Sequence, residues 1–254
     1  MLAVKNVSKR FEGDHETLLA LEDVSFEVFP GETVMLVGPS GCGKSTILNM
    51  IAGLDTPSEG KILIDGTAIH GPGPDRSLVF QDGALFPWLS VRKNVEFGLK
   101  QAGAPRFERT SRALKALERV GLKGFETHAI HQLSGGMRQR VAIARALVLE
   151  PRVVLMDESF SALDAITREE LYEVLQDLQR DTGATILFVT HNVREAVVLG
   201  DRVVLMKPRP GRVQETFPIE FERPRHIDDV TVARTAQRIS NAMKGVPNPE
   251  EIVF

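Results

Sequence analysis

Apolar and polar positions alternate in ways that divide the chain into three stretches. The first stretch, up to about residue 84, contains short apolar runs that predict strands at 2–7, 24–29, 32–37, 61–66 and 77–80. In the second of these runs every other residue is apolar, which is typical of an antiparallel sheet with one exposed face. After the third run and a glycine-rich segment, helical spacing predicts a helix over 46–52.

The middle stretch changes to helical periodicity, with Gly and Pro between segments at 92–100, 108–120 and 136–149. Strands then return at 153–156, 185–189 and 202–206, separated by helices predicted at 167–180 and 192–199. Apolar strands that alternate with helices favour a parallel sheet covered on both faces. The pattern therefore predicts an α/β fold with a helical insert. Beyond it we expect proline-rich connections over 207–225, a last helix over 228–244 and a frayed tail over 246–254.

Composition narrows the functional classes only slightly. The 254 residues include 31 Lys and Arg against 34 Asp and Glu, so net charge gives no argument for a nucleic-acid partner. With a single cysteine, Cys42, no disulfide can form within the chain. We find neither a secretory signal pattern nor an apolar run of about 18 residues, so any role at a membrane is expected to require a partner protein.

The strongest chemical signal is a glycine-rich segment between a predicted strand and a predicted helix, Gly38-Pro39-Ser40-Gly41-Cys42-Gly43-Lys44-Ser45-Thr46. It matches G-x-x-x-x-G-K-[S/T], in which backbone N–H groups surround phosphates at a helix N-terminus. In that pattern the lysine reaches the β- and γ-phosphates and the hydroxyl binds Mg²⁺. We interpret the segment as a nucleoside triphosphate site. Because Cys42 lies among these amides, we expect it to be partly exposed and readily alkylated unless Mg·ATP is bound.

Three further positions follow predicted strands. Asp157 and Glu158 end the strand at 153–156, and His191 follows the strand at 185–189. A carboxylate at such a strand end often binds the Mg²⁺ that bridges the phosphates, and the next carboxylate is placed to accept a proton from water. A strand ending in Asp-Glu is often only structural, but beside the phosphate loop we favour the magnesium interpretation. For His191 a structural role and a contact to the γ-phosphate both remain open.

Two aromatic positions also allow two interpretations each. Phe11 is either a stacking surface for a purine or a core residue. Leu85, Phe86 and Trp88 lie in an unusually apolar loop over 82–90. Such a loop either packs under its neighbours, which is the commoner case, or binds a partner.

A second anion cradle is predicted where Leu133-Ser134-Gly135-Gly136 precedes a helix. One triphosphate does not need two cradles from one chain. The second therefore suits the nucleotide of another copy in a two-fold dimer, although a serine-capped helix would give the same local pattern.

With the string Leu133-Ser134-Gly135-Gly136-Met137-Arg138-Gln139-Arg140 added, the chain resembles the nucleotide-binding subunits of ATP-binding cassette (ABC) transporters over about residues 1–220. The resemblance implies a P-loop NTPase (RecA-like) core with a parallel sheet, an N-terminal antiparallel β subdomain and an inserted α-helical subdomain. We expect one domain over 1–254, with the core at 1–84 and 151–220, the helical subdomain at 85–150, and a C-terminal helix and tail at 221–254.

The resemblance also implies a role for each matching residue. Gln81 would sense Mg²⁺ and the γ-phosphate. Ser134, Gly135 and Gly136 would contact the partner copy's ATP, and Asp164, in the segment 161–164, would bridge the two sites. Phe11 would stack on adenine, Asp157 would bind Mg²⁺, Glu158 would be the general base, and His191 would be the switch histidine. Two residues depart from the common pattern: Ser159 stands where most relatives have proline, and Asn192 stands where many importers have aspartate.

A finer similarity, to the nitrate, sulfonate and taurine uptake group, is carried by segments 86–91, 207–213 and 223–225. It implies an ATPase that uses ATP and Mg²⁺, forms an ATP-dependent dimer and drives a separate permease. A substrate-binding protein would complete the complex, the subunit would lie on the cytoplasmic face of the inner membrane, and Leu85, Phe86 and Trp88 would contact the permease. No nucleic acid is expected as a partner. The alternatives are an exporter subunit and a soluble cassette ATPase.

Overall fold

The computed structural model describes residues 1–13 and 17–245 of the chain. Two compact units are distinguished: residues 1–73 with the chain from residue 185 onward, and residues 74–184. In chain order the elements are β1 (Leu2–Glu12), β2 (Thr17–Val28), β3 (Thr33–Val37), α1 (Lys44–Ala52), β4 (Glu59–Ile64), β5 (Thr67–Ala68), β6 (Arg76–Val79), α2 (Val91–Gln101), α3 (Arg106–Arg119), α4 (Gly135–Leu147), β7 (Val153–Asp157), α5 (Ala165–Thr182), β8 (Ile186–Thr190), α6 (Val193–Leu199), β9 (Arg202–Lys207), β10 (Arg212–Pro218) and α7 (Val230–Lys244).

The first unit contains an antiparallel sheet in the order β2-β1-β4-β5. Its alternating burial follows the sequence pattern, because Val24, Phe26 and Val28 are buried while Ser25 between them is exposed. The predicted antiparallel, half-exposed sheet is therefore confirmed. Its first two strands are longer than predicted, because they stay paired as far as Glu12 and Thr17.

The same unit contains parallel strands, with β3 between β8 and β9. Every residue of β3 and β8 is buried, which agrees with their uninterrupted apolar sequences. Val37 at the end of β3 is paired with Thr190 at the end of β8. The segments that follow these two strands, beginning at Gly38 and His191, therefore start at the same edge of the sheet.

One prediction about this unit is wrong. Residues 207–225 are not only connections, because β10 pairs antiparallel with β9 within that stretch. Three consecutive exposed residues, Gln214, Glu215 and Thr216, hide the strand pattern. The strand ends at Pro218, a position that tolerates the missing N–H. Hydrogen bonds to β9 thus stabilise a strand that the local sequence pattern does not predict.

The second unit pairs β6 with β7 in parallel and carries helices α2 to α5. Helix α2 packs against both α3 and α4, which gives the predicted helical insert its own core. That core includes Val95, Ala113, Leu117 and Ile143, all nearly inaccessible to solvent. The predicted insert of helices is confirmed, with ends that differ by one or two residues.

The last helix, α7, packs against α6 and buries Val232, Ala236 and Ile239. The chain leading to it is held by Arg225, whose guanidinium donates to the carbonyls of Val197 and Gly200, among others. Burial lowers the pKa of Arg225 to about 10. The predicted last helix is confirmed, whereas the predicted frayed tail lies outside the described residues. Assignment of the whole chain to one domain stays a prediction.

Candidate functional site: a phosphate loop and a glycine-capped helix

The phosphate loop joins β3 to α1 and carries its own internal bonds. Gly43 is the N-cap of α1 and has a left-handed backbone with φ +91°. The ammonium of Lys44 donates to the carbonyls of Gly38 at 2.8 Å and Pro39 at 3.2 Å. The loop therefore curls around the lysine, while Ser45 on the first turn of the helix is exposed.

Two glycines of this loop have no room for a side chain. A Cβ on Gly38 would lie 2.7 Å from the carbonyl oxygen of Met206, and a Cβ on Gly43 would overlap the side chain of Leu21. Gly41 differs, because it is left-handed at φ +76° but nothing lies within 4 Å of its Cβ position. The loop is thus packed tightly on its protein side and open at Gly41, as a backbone cradle for phosphate requires.

The expectation for Cys42 is wrong. Its side chain is fully buried beneath the loop. Burial raises the pKa of the Cys42 thiol, and the nearby Lys44 ammonium offsets this only in part. A buried thiol with a raised pKa offers little thiolate, so Cys42 should react slowly with or without nucleotide.

Phe11 is not a core residue, because 42% of its surface is exposed. The Lys9 ammonium lies 5.0 Å from the ring centroid, and it is itself anchored by Asp55 at 2.6 Å. On the neighbouring strand β2, Leu18 pairs with Phe11 and is also exposed. An accessible, anchored ring of this kind suits stacking on a flat base.

His191 is exposed at the edge where the phosphate loop also begins. Next to it, the side chain of Asn192 accepts hydrogen bonds from the N–H groups of Arg194 at 3.0 Å and Glu195 at 3.2 Å. Asn192 is therefore the N-cap of α6, a role that asparagine and aspartate fill equally well. Its departure from the family pattern leaves the position of His191 intact.

In the second unit, β6 and β7 bring three predicted residues to one edge. Val79 and Met156 are paired, so Gln81 lies two residues beyond one strand, while Asp157 ends the other strand and Glu158 follows it. Glu158 has a positive φ of 41°, uncommon for a residue with a side chain. Its carbonyl accepts the Ser161 hydroxyl at 2.8 Å, which closes the turn.

Ser159 is buried beneath the same edge. Its hydroxyl donates to the carbonyl of Val79 at 3.3 Å, which ties β7 to β6. A proline at this position would have no such donor. The second departure from the family pattern therefore adds a strand-to-strand bond behind Gln81 and Glu158.

The string Leu133–Arg140, which we call the signature segment, includes the N-terminus of α4. Ser134 is the N-cap, and its hydroxyl accepts from the N–H of Met137 at 3.2 Å. Gly135 and Gly136 lie against the turn at 163–167: a Cβ on Gly135 would lie 3.2 Å from Leu163, and one on Gly136 would overlap Thr167. The structure thus brings the signature glycines and the segment of Asp164 together.

Asp164 is the N-cap of α5 and accepts a hydrogen bond from the N–H of Thr167 at 3.0 Å. This bond from Thr167 lowers the pKa of the Asp164 carboxyl. Asp164 is therefore charged at neutral pH and lies in the exposed turn beside the signature glycines. The serine-capped helix, which would explain the local pattern alone, is present. The contacts of Gly135 and Gly136 with Leu163 and Thr167 also show why no larger side chain fits at these two positions.

The loop over residues 82–90, which we call the Trp88 loop, is exposed at its tip. Trp88 is 77% exposed, whereas Leu85 and Phe86 are half-buried. The ring of Phe86 packs on Phe97 with centroids 4.4 Å apart, and Trp88 lies 5.5 Å from Phe86. The hypothesis that the whole loop packs under its neighbours is therefore wrong for Trp88.

Two residues that the sequence did not single out hold this loop. The side chain of Asn94, on α2, accepts from the N–H of Phe86 at 2.8 Å and donates to its carbonyl at 3.1 Å. Arg145, on α4, donates to the carbonyls of Gly83 at 2.7 Å and Ala84 at 2.8 Å. Neither residue is part of a recognisable motif, so only their polar character at inward helix positions could have suggested a role.

The residues of the phosphate loop fit a triphosphate, because Gly41 leaves the cradle open and Lys44 lies within it. The oxygen groups of Ser45, Gln81 and Asp157 are ligands that Mg²⁺ prefers. Across residues 1–13 and 17–245, no three His, Cys, Asp or Glu side chains gather into a metal site. In the same ranges no helix combines the length and apolar composition needed to cross a bilayer.

Comparison with known proteins places these features in one family. The family model described as ABC transporter matches residues 21–161. The chain is 49% identical over 243 residues to an uncharacterised ABC transporter ATP-binding protein of Methanocaldococcus jannaschii, covering 96% of this chain and 91% of that one. It is 50% identical over 221 residues to the taurine import ATP-binding protein TauB of Yersinia pestis, covering 87% and 85%.

Solved structures show the same fold. An ATP-binding cassette in a dimeric post-hydrolysis state bound to ADP and Pi has a TM-score of 0.76 and 36% identity, and the match covers 87% of this chain and all of that one. A subunit named cbiO1 of Clostridium perfringens, described as part of an ABC transporter complex, has a TM-score of 0.78 and 30% identity over 94% of each chain. The predicted P-loop NTPase fold is confirmed.

Proposed function

The chain belongs to the ABC transporter family as an ATP-hydrolysing subunit, and from this premise we propose that it dimerises around two Mg·ATP and powers a separate membrane permease that imports a small anion. The observation that carries the proposal is the presence of two backbone cradles in one chain. The phosphate loop is one, and the N-terminus of α4 at Ser134–Gly136 is the other. A two-fold dimer gives each triphosphate one cradle of each kind.

In the first unit, residues 38–46 bind the phosphates through backbone N–H groups. Lys44 neutralises phosphate charge, and the hydroxyl of Ser45 is a ligand for Mg²⁺. Exposed Phe11 stacks on the adenine ring. His191, at the same sheet edge as the loop, donates a hydrogen bond to the γ-phosphate.

In the second unit, Asp157 and Gln81 supply further oxygen ligands, and bound Mg²⁺ would neutralise phosphate charge. Glu158 accepts the proton of the attacking water as the general base. Its positive φ fixes the direction in which the carboxylate leaves the strand. Ser159 supports this edge through the bond to Val79.

The partner copy's triphosphate is bound by Ser134, Gly135 and Gly136. Gly136 has no room for a Cβ because Thr167 packs against it, so glycine at this position lets the start of α4 pack closely on the start of α5. Asp164 is charged beside this surface and bridges the two nucleotide sites. Alternation between a closed dimer with ATP and an open one after hydrolysis would drive the permease.

The permease contact is assigned to Leu85, Phe86 and Trp88. An indole exposed over 77% of its surface, on a loop fixed by Asn94 and Arg145, has the character of an interface anchor. The subunit would lie peripherally on the cytoplasmic face of the inner membrane, with a substrate-binding protein in the complex.

The cargo class follows from the relatives. TauB proteins of Yersinia pestis and Roseobacter denitrificans are named for taurine import, at 50% and 43% identity. We propose taurine, an alkanesulfonate or nitrate as the imported anion. Import is favoured over export by those names, and a soluble, non-transport ATPase is not favoured.

The proposal is tested with Glu158→Gln. Glutamine has nearly the shape of glutamate, so ATP binding is retained, but it cannot accept the proton, and turnover falls by about 10²–10⁴-fold. Dimer then accumulates with ATP and not with ADP in sizing chromatography. Adding Ser134→Arg should abolish the dimer by filling the α4 cradle. Turnover near the wild-type rate would remove Glu158 from this role, and a Glu158→Gln protein that stays monomeric with ATP at high concentration would contradict the shared sites.

A further inference from the structure

Helix α4 holds the Trp88 loop through one side chain. The guanidinium of Arg145 donates to two consecutive carbonyls, those of Gly83 at 2.7 Å and Ala84 at 2.8 Å. It also lies 5.6 Å from the ring centroid of Phe86, over its face. No carboxylate pairs with Arg145 in the part of the chain that the structure describes. The charge of Arg145 is therefore directed at the loop alone.

The loop has an unusual backbone where Arg145 binds. Gly83 and Ala84 are both left-handed, with φ of +72° and +42°. Such a conformation is costly at Ala84, and it persists only where neighbours fix it. Gly83 also faces Gln139 and Ala142 of α4, at 3.5 and 3.4 Å from its Cβ position. One face of α4 thus fixes the strained turn by packing and by hydrogen bonds.

The turn at Gly83 and Ala84 lies between Gln81, which is predicted to sense the nucleotide, and Trp88, which is predicted to contact the permease. Gln81 lies two residues before Gly83, and Trp88 lies two residues after Phe86. At its N-terminal end, α4 begins at Ser134 and Gly135. Ten residues of helix separate Gly135 from Arg145, which is about 15 Å at the usual rise per residue. A helix of this length moves as a rod, so its two ends shift together.

We propose that Arg145 is a positioning residue that couples the N-terminus of α4 to the Trp88 loop, so that nucleotide bound at Ser134–Gly136 changes the position of Trp88. This inference rests on the proposed function, in which those residues contact the partner copy's ATP. The coupling runs through a rigid helix and a fork of two hydrogen bonds. Arginine suits this link because its planar fork binds two carbonyls and covers a ring at once, which lysine cannot do.

The chain offers a direct probe, since Trp88 is its only tryptophan. We would measure Trp88 fluorescence and its anisotropy in the Glu158→Gln background with ADP and with Mg·ATP. Nucleotide binding is measured separately with a fluorescent ATP analogue, and dimer formation by sizing chromatography. The variants are Arg145→Ala and Arg145→Lys. Arg140→Ala is the control, because Arg140 lies on the same helix but bonds to Val120 and Glu170.

We expect the Arg145→Ala protein to bind ATP and dimerise as its parent does while losing the ATP-dependent change in Trp88 emission. Its Trp88 anisotropy should fall, since the tip is no longer fixed. Arg145→Lys should give an intermediate response, and Arg140→Ala should respond like the parent. A Trp88 change of unaltered size in Arg145→Ala would overturn the inference. If Arg145→Ala unfolds the protein, the Arg145→Lys variant provides the test. A full ATP-dependent change in Trp88 emission in that variant would then overturn the inference.

Failure of the proposed function gives a different result. If the parent protein neither binds the ATP analogue nor dimerises, the proposed function is wrong and Trp88 shows no response in any variant. If the parent binds and dimerises but Trp88 does not respond, the function stands and the coupling is wrong. The two failures are thus distinguished by binding and sizing data alone.

Discussion

The phosphate loop and the Trp88 loop both follow a strand with a parallel neighbour, but different hydrogen bonds hold them. The phosphate loop is held by its own residues: Lys44 bonds to Gly38 and Pro39, only a few positions away. The Trp88 loop is held by Asn94 and by Arg145, which is about sixty residues further along the chain. The hydrogen bonds within the phosphate loop are therefore local, whereas those of the Trp88 loop include a residue from a distant helix.

This difference has a consequence for mutations. In the phosphate loop, the side chains whose substitution most affects activity are those that bind the ligand, and replacing them should leave the fold in place. In the Trp88 loop, the important residues are those that form hydrogen bonds to its backbone groups, and replacing them should lower the free energy of unfolding. The four predictions below test this contrast, from the largest expected effect to the smallest.

Lys44→Ala should lower ATP turnover by about 10²–10³-fold, because it removes a positive charge aimed at the transferring phosphate. The unfolding temperature should change little, since the ammonium bonds only to groups of the loop itself, the carbonyls of Gly38 and Pro39 and the sulfur of Cys42. Steady-state ATPase assays and a thermal melt measure both effects. Lys61→Ala, which removes an exposed lysine from β4, is the control and should be neutral. Turnover within twofold of wild type in Lys44→Ala would contradict the placement of the phosphate site.

Asn94→Ala should lower the free energy of unfolding by about 2–4 kcal/mol, because the N–H of Phe86 and the carbonyl of Leu89 lose their side-chain partner, while the carbonyls of Phe86 and Ser90 keep only a backbone donor. Affinity for ATP should be unchanged. Urea denaturation gives the first value, and titration with a fluorescent ATP analogue gives the second. Exposed Lys93 on the same helix is the matched site, and Lys93→Ala should be neutral. Equal denaturation midpoints for the two variants would show that Asn94 does not hold the loop.

Gly43→Ala and Gly41→Ala compare two glycines of the phosphate loop that are both left-handed. An alanine costs about 1–2 kcal/mol in this conformation at either position. At Gly43 the new methyl also overlaps Leu21, which should cost about 1–3 kcal/mol more. Thermal or urea unfolding of both variants measures the difference. If Gly41→Ala is the less stable of the two, the open side of the cradle has been misplaced.

Trp88→Ala should change the free energy of unfolding by less than about 0.5 kcal/mol, because its side chain is largely exposed. Combined with Leu85→Ala it should weaken permease binding and leave ATP affinity nearly unchanged. Co-purification with the permease measures the first effect, and nucleotide titration the second. Phe86→Ala is the contrasting variant and should destabilise more, since its ring packs on Phe97. Undiminished permease binding by the double variant would exclude this loop as the docking surface.

The sequence by itself determined the phosphate loop, the signature helix and the two kinds of sheet. These features depend on residue spacing over fewer than about twenty positions, such as glycines between a strand and a helix or the 3.6-residue period of α4. The caps at Ser134 and Asn192 follow from the same local chemistry. Local spacing is directly visible in a sequence.

Only the tertiary structure decided which of these residues are accessible and what supports them. It buried Cys42, which the position inside the phosphate loop had suggested was reactive, and it exposed Phe11 and Trp88. It also paired β10 with β9 and joined Arg145 to the Trp88 loop. The exposure of single loop residues and the formation of long-range hydrogen bonds depend on elements that are distant in the chain, and therefore leave no periodic trace in the sequence.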